Sequence, residues 1–248
     1  MLKIQKPIVI IPTYNEADNV ETIVDRIFAS TPDIHILFVD DNSTDGTANL
    51  LFGLIAKHAG KIHCLRRSGK LGLGTAYVAG FNWALARSYD ALIEMDADHS
   101  HDPKEIVVFL EKLHTYDAVI GSRYCAGGAT ENWSVLRKCV SLLGSLYSRI
   151  ILGMDVYDLT GGFNAWRRET LVAIDPNLVQ SQGYSFQIEL KYRAKLAGKT
   201  ICEVPIIFSE RRAGQSKMSF TIVLEAIIRV WSLRHIKTEL NLAAHRRV

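Results

Sequence analysis

The stretch Ala91–Pro103, ALIEMDADHSHDP, carries the most structural and chemical information in this chain. A short apolar strand pattern, Ala91–Met95, ends in two aspartates one residue apart, Asp96 and Asp98. Ionised oxygens at the end of a buried strand are costly unless something cationic meets them. A hard divalent cation is such a partner, because Mg²⁺ takes one or two carboxylates and completes its shell with phosphate oxygens and water. The pattern therefore reads as a metal–diphosphate site at the mouth of a sheet. The competing reading is a solvated strand-to-helix turn, with Asp102 capping a helix that Pro103 begins. An isolated Asp-x-Asp favours that second reading, since short motifs recur by chance. The rest of the chain favours the first.

Outward from this stretch, strands and helices alternate in both directions. Strand-like runs at Pro7–Ile11, Ile34–Val39, Lys61–Leu65, Ala91–Met95 and Ala118–Gly121 are separated by helical patterns at Ala17–Ala29, Thr44–Ala59, Gly72–Ser88 and Pro103–His114. Such alternation predicts βαβ units and a mostly parallel twisted sheet flanked by helices, an α/β fold. Ligands of these sheets bind beyond the carboxyl ends of the strands. The unusual residues gather there: Pro12–Glu16, Asp40–Thr47, Asp96–Asp98 and Ser122–Tyr124. The second half is less regular. It reads as a helix at Val135–Leu152, a turn and short strand within Gly161–Arg168, a helix at Phe186–Ala197 and a strand at Thr200–Phe208. A polar loop, Ser209–Ser219, a last apolar helix, Phe220–Leu233, and a basic tail, Arg234–Val248, complete the chain.

The 248 residues, 48% of them hydrophobic, suffice for one substantial core with or without a C-terminal extension. A formal net charge of +3 is too mild to point to nucleic acid. Cys64, Cys125, Cys139 and Cys202 have no C-x-x-C spacing, which argues for reduced thiols over a disulfide framework or zinc site. The start of the chain lacks the apolar core of a secretory signal. Arg149, and then Glu225 and Arg229, interrupt the longest apolar stretches, so no segment reaches the roughly 18 apolar residues of a spanning helix. The expectation is a soluble or surface-associated protein.

Several clusters carry candidate chemistry. In Pro12–Glu16, Tyr14 offers a flat face to a nucleobase and Glu16 a carboxylate, although Asn15 is equally suited to cap a helix. Among Asp40–Thr47, Asp45 and Thr47 suit structural capping, whereas Asp41 suits a base or ribose contact supported by the backbone of Val39. Gly69–Gly74 lacks G-x-G-x-x-G spacing and follows the third strand, so it reads as a flexible loop bringing Lys70 near a nucleotide. Arg123, Arg137 and Ser141 could hold a phosphate monoester, because Arg presents planar forked donors; Arg137 and Ser141 lie four apart on one helix face. From spacing alone, surface charge on an amphipathic helix is the better account. Arg211, Gly214, Ser216 and Lys217 occupy a loop of the kind that closes on phosphates, although ordinary solvated loops of this composition are more numerous. His99 and His101 lack zinc spacing, and supporting roles are their default.

Together, PTYNE, DDNSTDGT, GKLGLGTA, DADHSHDP, GSRY, the W-x-x-x-R-x-x-x-S spacing of Trp133, Arg137 and Ser141, DLTGGFNAWRR, GYSFQIE and R-x-x-G-x-S-K run in order from Pro7 to Lys217. This set resembles the polyprenol-phosphate (dolichol-phosphate) mannosyltransferases of glycosyltransferase family 2. The arginine–serine helix, the TGGF segment and the R-x-x-G-x-S-K loop carry the resemblance to enzymes with a lipid-phosphate acceptor. Thr44 departs from it, standing where many relatives have proline.

The resemblance implies a GT-A fold over residues 1–217, with residues 218–248 as an amphipathic, basic segment for a membrane interface or for packing. It implies GDP-mannose as donor, Mg²⁺ or Mn²⁺ as cofactor and a polyprenyl phosphate lipid as acceptor. Pro12, Tyr14, Glu16, Val39 and Asp41 would hold the nucleoside. Asp96, the Ala97 backbone and Asp98 would hold metal and diphosphate, with Ser100 where the family often supplies a further metal contact. Arg123, Arg137 and Ser141 would bind the acceptor phosphate, and Arg211 and Lys217 would close on the donor phosphates. Asp98 and Arg123 are the expected catalytic residues. A phosphate nucleophile needs no general base, and a single in-line displacement at the anomeric carbon would invert the sugar. The expected place is the cytoplasmic face of a membrane, held peripherally by the helices Val135–Leu152 and Phe220–Leu233 or by an anchoring subunit. UDP-glucose or UDP-N-acetylglucosamine as donor, and a hydroxyl acceptor in polysaccharide synthesis, are the alternatives.

Overall fold

The structure, a computed structural model, describes residues 4–209 and 228–236. In chain order the elements are β1 (Pro7–Thr13), α1 (Val20–Ser30), β2 (His35–Asp40), α2 (Thr47–Lys57), β3 (Ile62–Arg66), α3 (Leu73–Leu85), β4 (Ala91–Glu94) and α4 (Glu105–Lys112). Then follow β5 (Ala118–Ser122), β6 (Ala129–Thr130), α5 (Val135–Leu152), β7 (Asn164–Arg167), α6 (Arg168–Ile174), α7 (Gly183–Leu196), β8 (Ile201–Pro205) and β9 (Ile207–Phe208). Residues 228–236 are helical.

A seven-stranded sheet in the order β3-β2-β1-β4-β7-β5-β8 forms the centre. Its pairs are parallel except where β7 runs antiparallel to both β4 and β5. Because both faces are covered, its strands are continuous apolar runs, and alternate residues serve opposite cores. Ile8, Ile10, Leu37 and Val39 pack on the α3, α7 face, while Val9, Ile11, Ile36 and Phe38 pack under α1, α2 and α4. Helix α3 lies close on the sheet at Gly80, where a Cβ would stand 2.5 Å from Ile10 Cγ2. This is the mostly parallel α/β architecture that the βαβ alternation predicts.

Differences from the sequence reading fall at element ends and have local causes. Strand β1 runs on to Thr13 because Pro12 and Thr13 continue the register with Val39 and Asp40. Helix α1 begins at Val20, not Ala17, because the preceding residues are tied to the β2–α2 loop: the Asn15 N–H donates to Ser43 Oγ (2.9 Å) and the Ala17 N–H to Asp45 Oδ2 (3.0 Å). Asn15 thus fastens two loops and is not a helix cap. Helix α4 starts at Glu105, and the Asp102 carboxylate accepts the Lys104 N–H (3.2 Å) just before it. The single strand expected over 200–208 is two: β8 joins the main sheet and β9 pairs with β6.

Helix α5 has the expected bounds, set by Ser134, whose Oγ accepts the Arg137 N–H (3.3 Å), and by Gly153 at φ 61. Its Val135, Leu136, Leu143 and Ile150 are exposed. In the 228–236 helix, Val230 and Leu233 are buried in the core, while Ile228 and Trp231 are exposed. The rest of the expected Phe220–Leu233 helix, residues 220–227, lies outside the described residues. Among the described residues no helix is long and apolar enough to cross a membrane.

Candidate active site

The carboxyl ends of β1, β2 and β4 open into a cavity of about 400 Å³. Pro12 and Thr13 at the end of β1, with Tyr14 and Glu16 after it, form part of its wall; Asp41 follows β2, and Asp96, Ala97 and Asp98 follow β4. Lys70, Gly72, Leu73 and Ala76 close one side, and Arg137 of α5 with Gly183 and Tyr184 of α7 close another. The Lys70 ammonium sits 4.0 Å from the centre of the Tyr14 ring, which is a cation–π contact.

The two acids at the end of β2, Asp40 within it and Asp41 just after, divide as their burial dictates. Asp40 is fully buried and accepts from Ser43 Oγ (2.6 Å) and Thr13 Oγ1 (3.3 Å), so it braces the loop. Asp41 faces the cavity and is gripped by Arg67, through Nε (2.5 Å) and Nη2 (2.7 Å). Arg67 also donates to Thr75 Oγ1 (2.8 Å) and the Gly72 carbonyl (3.3 Å), tying the Asp41 strand end to the loop that carries Lys70. Asp45 and Thr47 hold one another and the β1 loop, with Thr47 Oγ1 accepting the Glu16 N–H (2.9 Å).

The twin acids are held from behind. Ser100 donates its hydroxyl (2.5 Å) and its N–H (3.1 Å) to Asp98 Oδ1, which places Ser100 behind Asp98 and outside the cavity wall. The buried Tyr77 phenol donates to Asp96 Oδ1 (3.3 Å), and the Asp96 N–H donates to His101 Nδ1 (3.1 Å). Burial, and then the Asp96 charge, push the Tyr77 pKa well above its ordinary value, so it stays a donor. His101 is buried against Phe163, at 4.7 Å between ring centres. No group of three or more His, Cys, Asp or Glu side chains forms a metal cage among the described residues. Two carboxylates at an open cavity mouth fit a hard cation that takes its other ligands from diphosphate and water.

Two of the residues expected on the acceptor side, Arg123 and Arg137, gather around one indole. Trp133 lies 3.9 Å from the Arg137 guanidinium and 5.4 Å from that of Arg123. Ser141 neighbours Tyr124, the residue after Arg123. Arg123 is buried and bound by Asp158, Nε to Oδ2 at 2.7 Å and Nη2 to Oδ1 at 2.7 Å, with Thr160 Oγ1 at 2.9 Å. Burial works against the Arg123 charge, but the Asp158 carboxylate outweighs it and raises the pKa; Asp158 is lowered in turn by Arg123 against its own burial. Trp133 Nε1 is buried without a hydrogen-bond partner among the described residues.

Of the residues expected at the site, Pro12, Tyr14, Glu16, Asp41, Asp96, Ala97, Asp98 and Arg137 share the cavity wall. Val39 is buried within β2, beside Pro12 in register. Arg211 and Lys217 lie outside the described residues. Sequence reasoning missed Arg67, Tyr77 and Asp158. Asp158 opens the quoted DLTGGF segment, whereas nothing in local spacing marks the other two.

Comparison with known proteins places this geometry. The profile described as Glycosyl transferase family 2 matches residues 8–174. A polyprenol monophosphomannose synthase of Mycolicibacterium smegmatis is 46% identical over 93% of this chain and 88% of its own length. An undecaprenyl-phosphate mannosyltransferase of Micrococcus luteus is 47% identical over 90% of this chain and 93% of its own. Among solved structures, glucosyl-3-phosphoglycerate synthase from Mycobacterium tuberculosis, in complex with Mn²⁺, UDP and phosphoglyceric acid, superposes with a TM-score of 0.65 over 92% of this chain and 78% of that one. It is 21% identical, a likeness of fold. The fold is the GT-A fold that the sequence motifs imply. With this sheet, this twin-acid cavity and these relatives, the chain belongs to glycosyl transferase family 2, alongside the polyprenol-phosphate mannosyltransferases that match most of its length.

Proposed function

We propose that this chain transfers mannose from GDP-mannose to a polyprenyl monophosphate, with inversion, to give polyprenyl phosphate β-mannose. The observation that carries the reading is that Arg137 and the twin acids Asp96 and Asp98 line one cavity. The names of the two relatives similar over nine-tenths of the chain agree with it. The Trp133 indole N–H, buried and without a partner among the described residues, adds to it, since an anion beside the arginines would satisfy it.

Asp96 and Asp98 would hold Mg²⁺ or Mn²⁺, and such an ion, when bound, offsets charge developing on a diphosphate leaving group. Tyr14 offers its ring to the base, and Asp41 and Glu16 offer carboxylates to base or ribose donors. Arg211 and Lys217, outside the described residues, are assigned to the donor phosphates. Arg123, Arg137 and Ser141 gather the acceptor phosphate and lower the repulsion between two anions. An acceptor oxygen attacks the anomeric carbon as the bond from that carbon to the diphosphate oxygen breaks, and GDP leaves with the electron pair. The nucleophile is already ionised near neutral pH, so no residue has to remove a proton.

The acceptor is a lipid, so the site must work at a membrane surface. Helix α5 carries Arg137 and Ser141 together with the exposed Val135, Leu136, Leu143 and Ile150, a pattern suited to lying in the bilayer interface. We place the chain peripherally on the cytoplasmic face, with residues 1–217 as the catalytic unit, residues 218–248 as an associated segment, and an anchoring subunit as a further partner. Flotation with anionic liposomes tests the surface. An intact chain that stays unbound yet turns over a short-chain acceptor would remove the interfacial role of α5.

The function is tested by offering GDP-mannose, UDP-glucose and UDP-N-acetylglucosamine with undecaprenyl or dolichyl phosphate and Mg²⁺. Mannosyl lipid from GDP-mannose alone is the expected product. Transfer from a uridine donor would reassign the nucleotide, and transfer to an oligosaccharide but not to lipid would reject the acceptor.

A further inference from the structure

Lysine is almost never fully buried unless its charge is matched, yet Lys191 in the middle of α7 is completely buried. Its ammonium has three hydrogens to donate. They meet the carbonyls of Gly161 (2.7 Å), Leu159 (3.1 Å) and Asp158 (3.2 Å). Burial lowers its pKa to about 8, against the opposing pull of Asp158 and Glu94. All three acceptors belong to one turn, and that turn presents Asp158 and Thr160 to the Arg123 guanidinium. The Asp158 N–H is fixed separately by Glu203 Oε1 (2.9 Å). One helical turn before Lys191, Gln187 donates to Glu94 Oε2 (2.5 Å) on β4, the strand that leads to Asp96. A single face of α7 therefore braces both the strand bearing the twin acids and the turn that aims the buried arginine. Without Lys191, the Asp158 and Leu159 carbonyls lose this buried donor, and the turn is free to shift.

We propose that Lys191 is a positioning residue for acceptor binding: by clamping the 158–161 turn it lets Asp158 and Thr160 hold Arg123 in the orientation that receives a phosphate monoester. The inference rests on the lipid-phosphate reading of Arg123. Its substrate class is the anionic phosphate of the acceptor, and it assigns Lys191 no contact with the donor.

The test uses the full chain with Lys191→Met and, in parallel, Lys191→Gln, which keeps amide donors and a similar length. Initial rates are measured against a short-chain polyprenyl phosphate, and GDP affinity is measured by titration. Because a displacement of about 1 Å at a reacting group costs on the order of a hundredfold, kcat/KM for the acceptor should fall roughly ten- to a hundredfold in Lys191→Met. GDP affinity should stay within about twofold, and Lys191→Gln should fall between the two. Loss of acceptor efficiency and GDP affinity in proportion would mark Lys191 as a general packing residue and overturn the proposal, as would no change in either. If Lys191→Met does not fold, the same comparison in Lys191→Gln decides. A wild-type chain that glycosylates no polyprenyl phosphate would instead reject the acceptor reading, and this inference with it.

Discussion

Arg123 and Asp158 form a two-bond pair inside the protein, with both nitrogen–oxygen distances at 2.7 Å and both side chains almost wholly removed from solvent. Removing one member of a buried pair leaves the other charge uncompensated, which costs about 3–5 kcal/mol. Asp158→Asn should lower unfolding stability by an amount of that order in urea titration. The acceptor KM should rise as the arginine loses its orientation. A variant of wild-type stability would show that the pair is dispensable to the fold.

Asp98 and its support should separate by size of effect. Asp98→Ala should cut turnover with Mn²⁺ by at least about a hundredfold, the scale of losing one charge-stabilising group. Ser100→Ala leaves the carboxylate but removes its 2.5 Å hydroxyl donor, so a loss of roughly tenfold is expected, with the chain folded normally. Equal losses in the two variants would mean that Ser100 acts on its own account. Steady-state rates over a range of Mn²⁺ concentration distinguish these cases.

Trp133→Phe keeps an aromatic ring beside the two arginines and removes the indole N–H that has no partner among the described residues. An N–H bonded to an anion is worth about 1.5–3 kcal/mol, so the acceptor KM should rise by at least about tenfold while thermal stability holds. An unchanged KM would place that donor away from the phosphate.

At the other end of the sheet, His35 Nδ1 and His63 Nε2 flank the Tyr89 hydroxyl at 2.8 and 3.2 Å. Burial, then the charges of Lys6 and Lys61, lower the His35 pKa; burial, then His35 and Arg87, lower that of His63. Each imidazole thus binds its proton less readily when folded than at its unfolded value of 6.5. The stability that they supply is present above that value and is lost as pH falls through the lower folded pKa values. Thermal unfolding should show this acid limb, and His63→Gln should flatten it. An identical slope in the variant would locate the limb elsewhere.

The sheet was legible because its strands are covered on both faces and so spell unbroken apolar runs such as Val9–Ile11 and Ile36–Val39. Strand β7, Asn-Ala-Trp-Arg, does not spell one. Asn164 is accommodated because Gln187 accepts from its amide (2.8 Å), and Trp166 because Glu94 takes its indole N–H (2.6 Å). Those partners are remote in sequence, so no window around residue 164 reveals them. The site divides in the same way. Asp96, Asp98 and Asp41 stand at strand ends, where acids are conspicuous. What orients them comes from elsewhere: Tyr77 from the buried side of α3 and Arg67 from beyond β3. Burial pushes the Glu94 carboxyl up to about 7, against bonds from Gln187 and Trp166. Read in the sequence alone, it is one acid inside a strand.

Because β7 lies between β4 and β5, the chain must place a later segment between two earlier ones before its central sheet is continuous. On a ribosome, residues up to the end of β5 would emerge with β4 lacking one neighbour and β5 lacking both, and the two could be joined only after residue 167. Non-local strand insertion of this kind slows folding and leaves sticky edges exposed meanwhile. Truncations that stop before β7 should therefore yield aggregates in place of a smaller working nucleotide-binding unit.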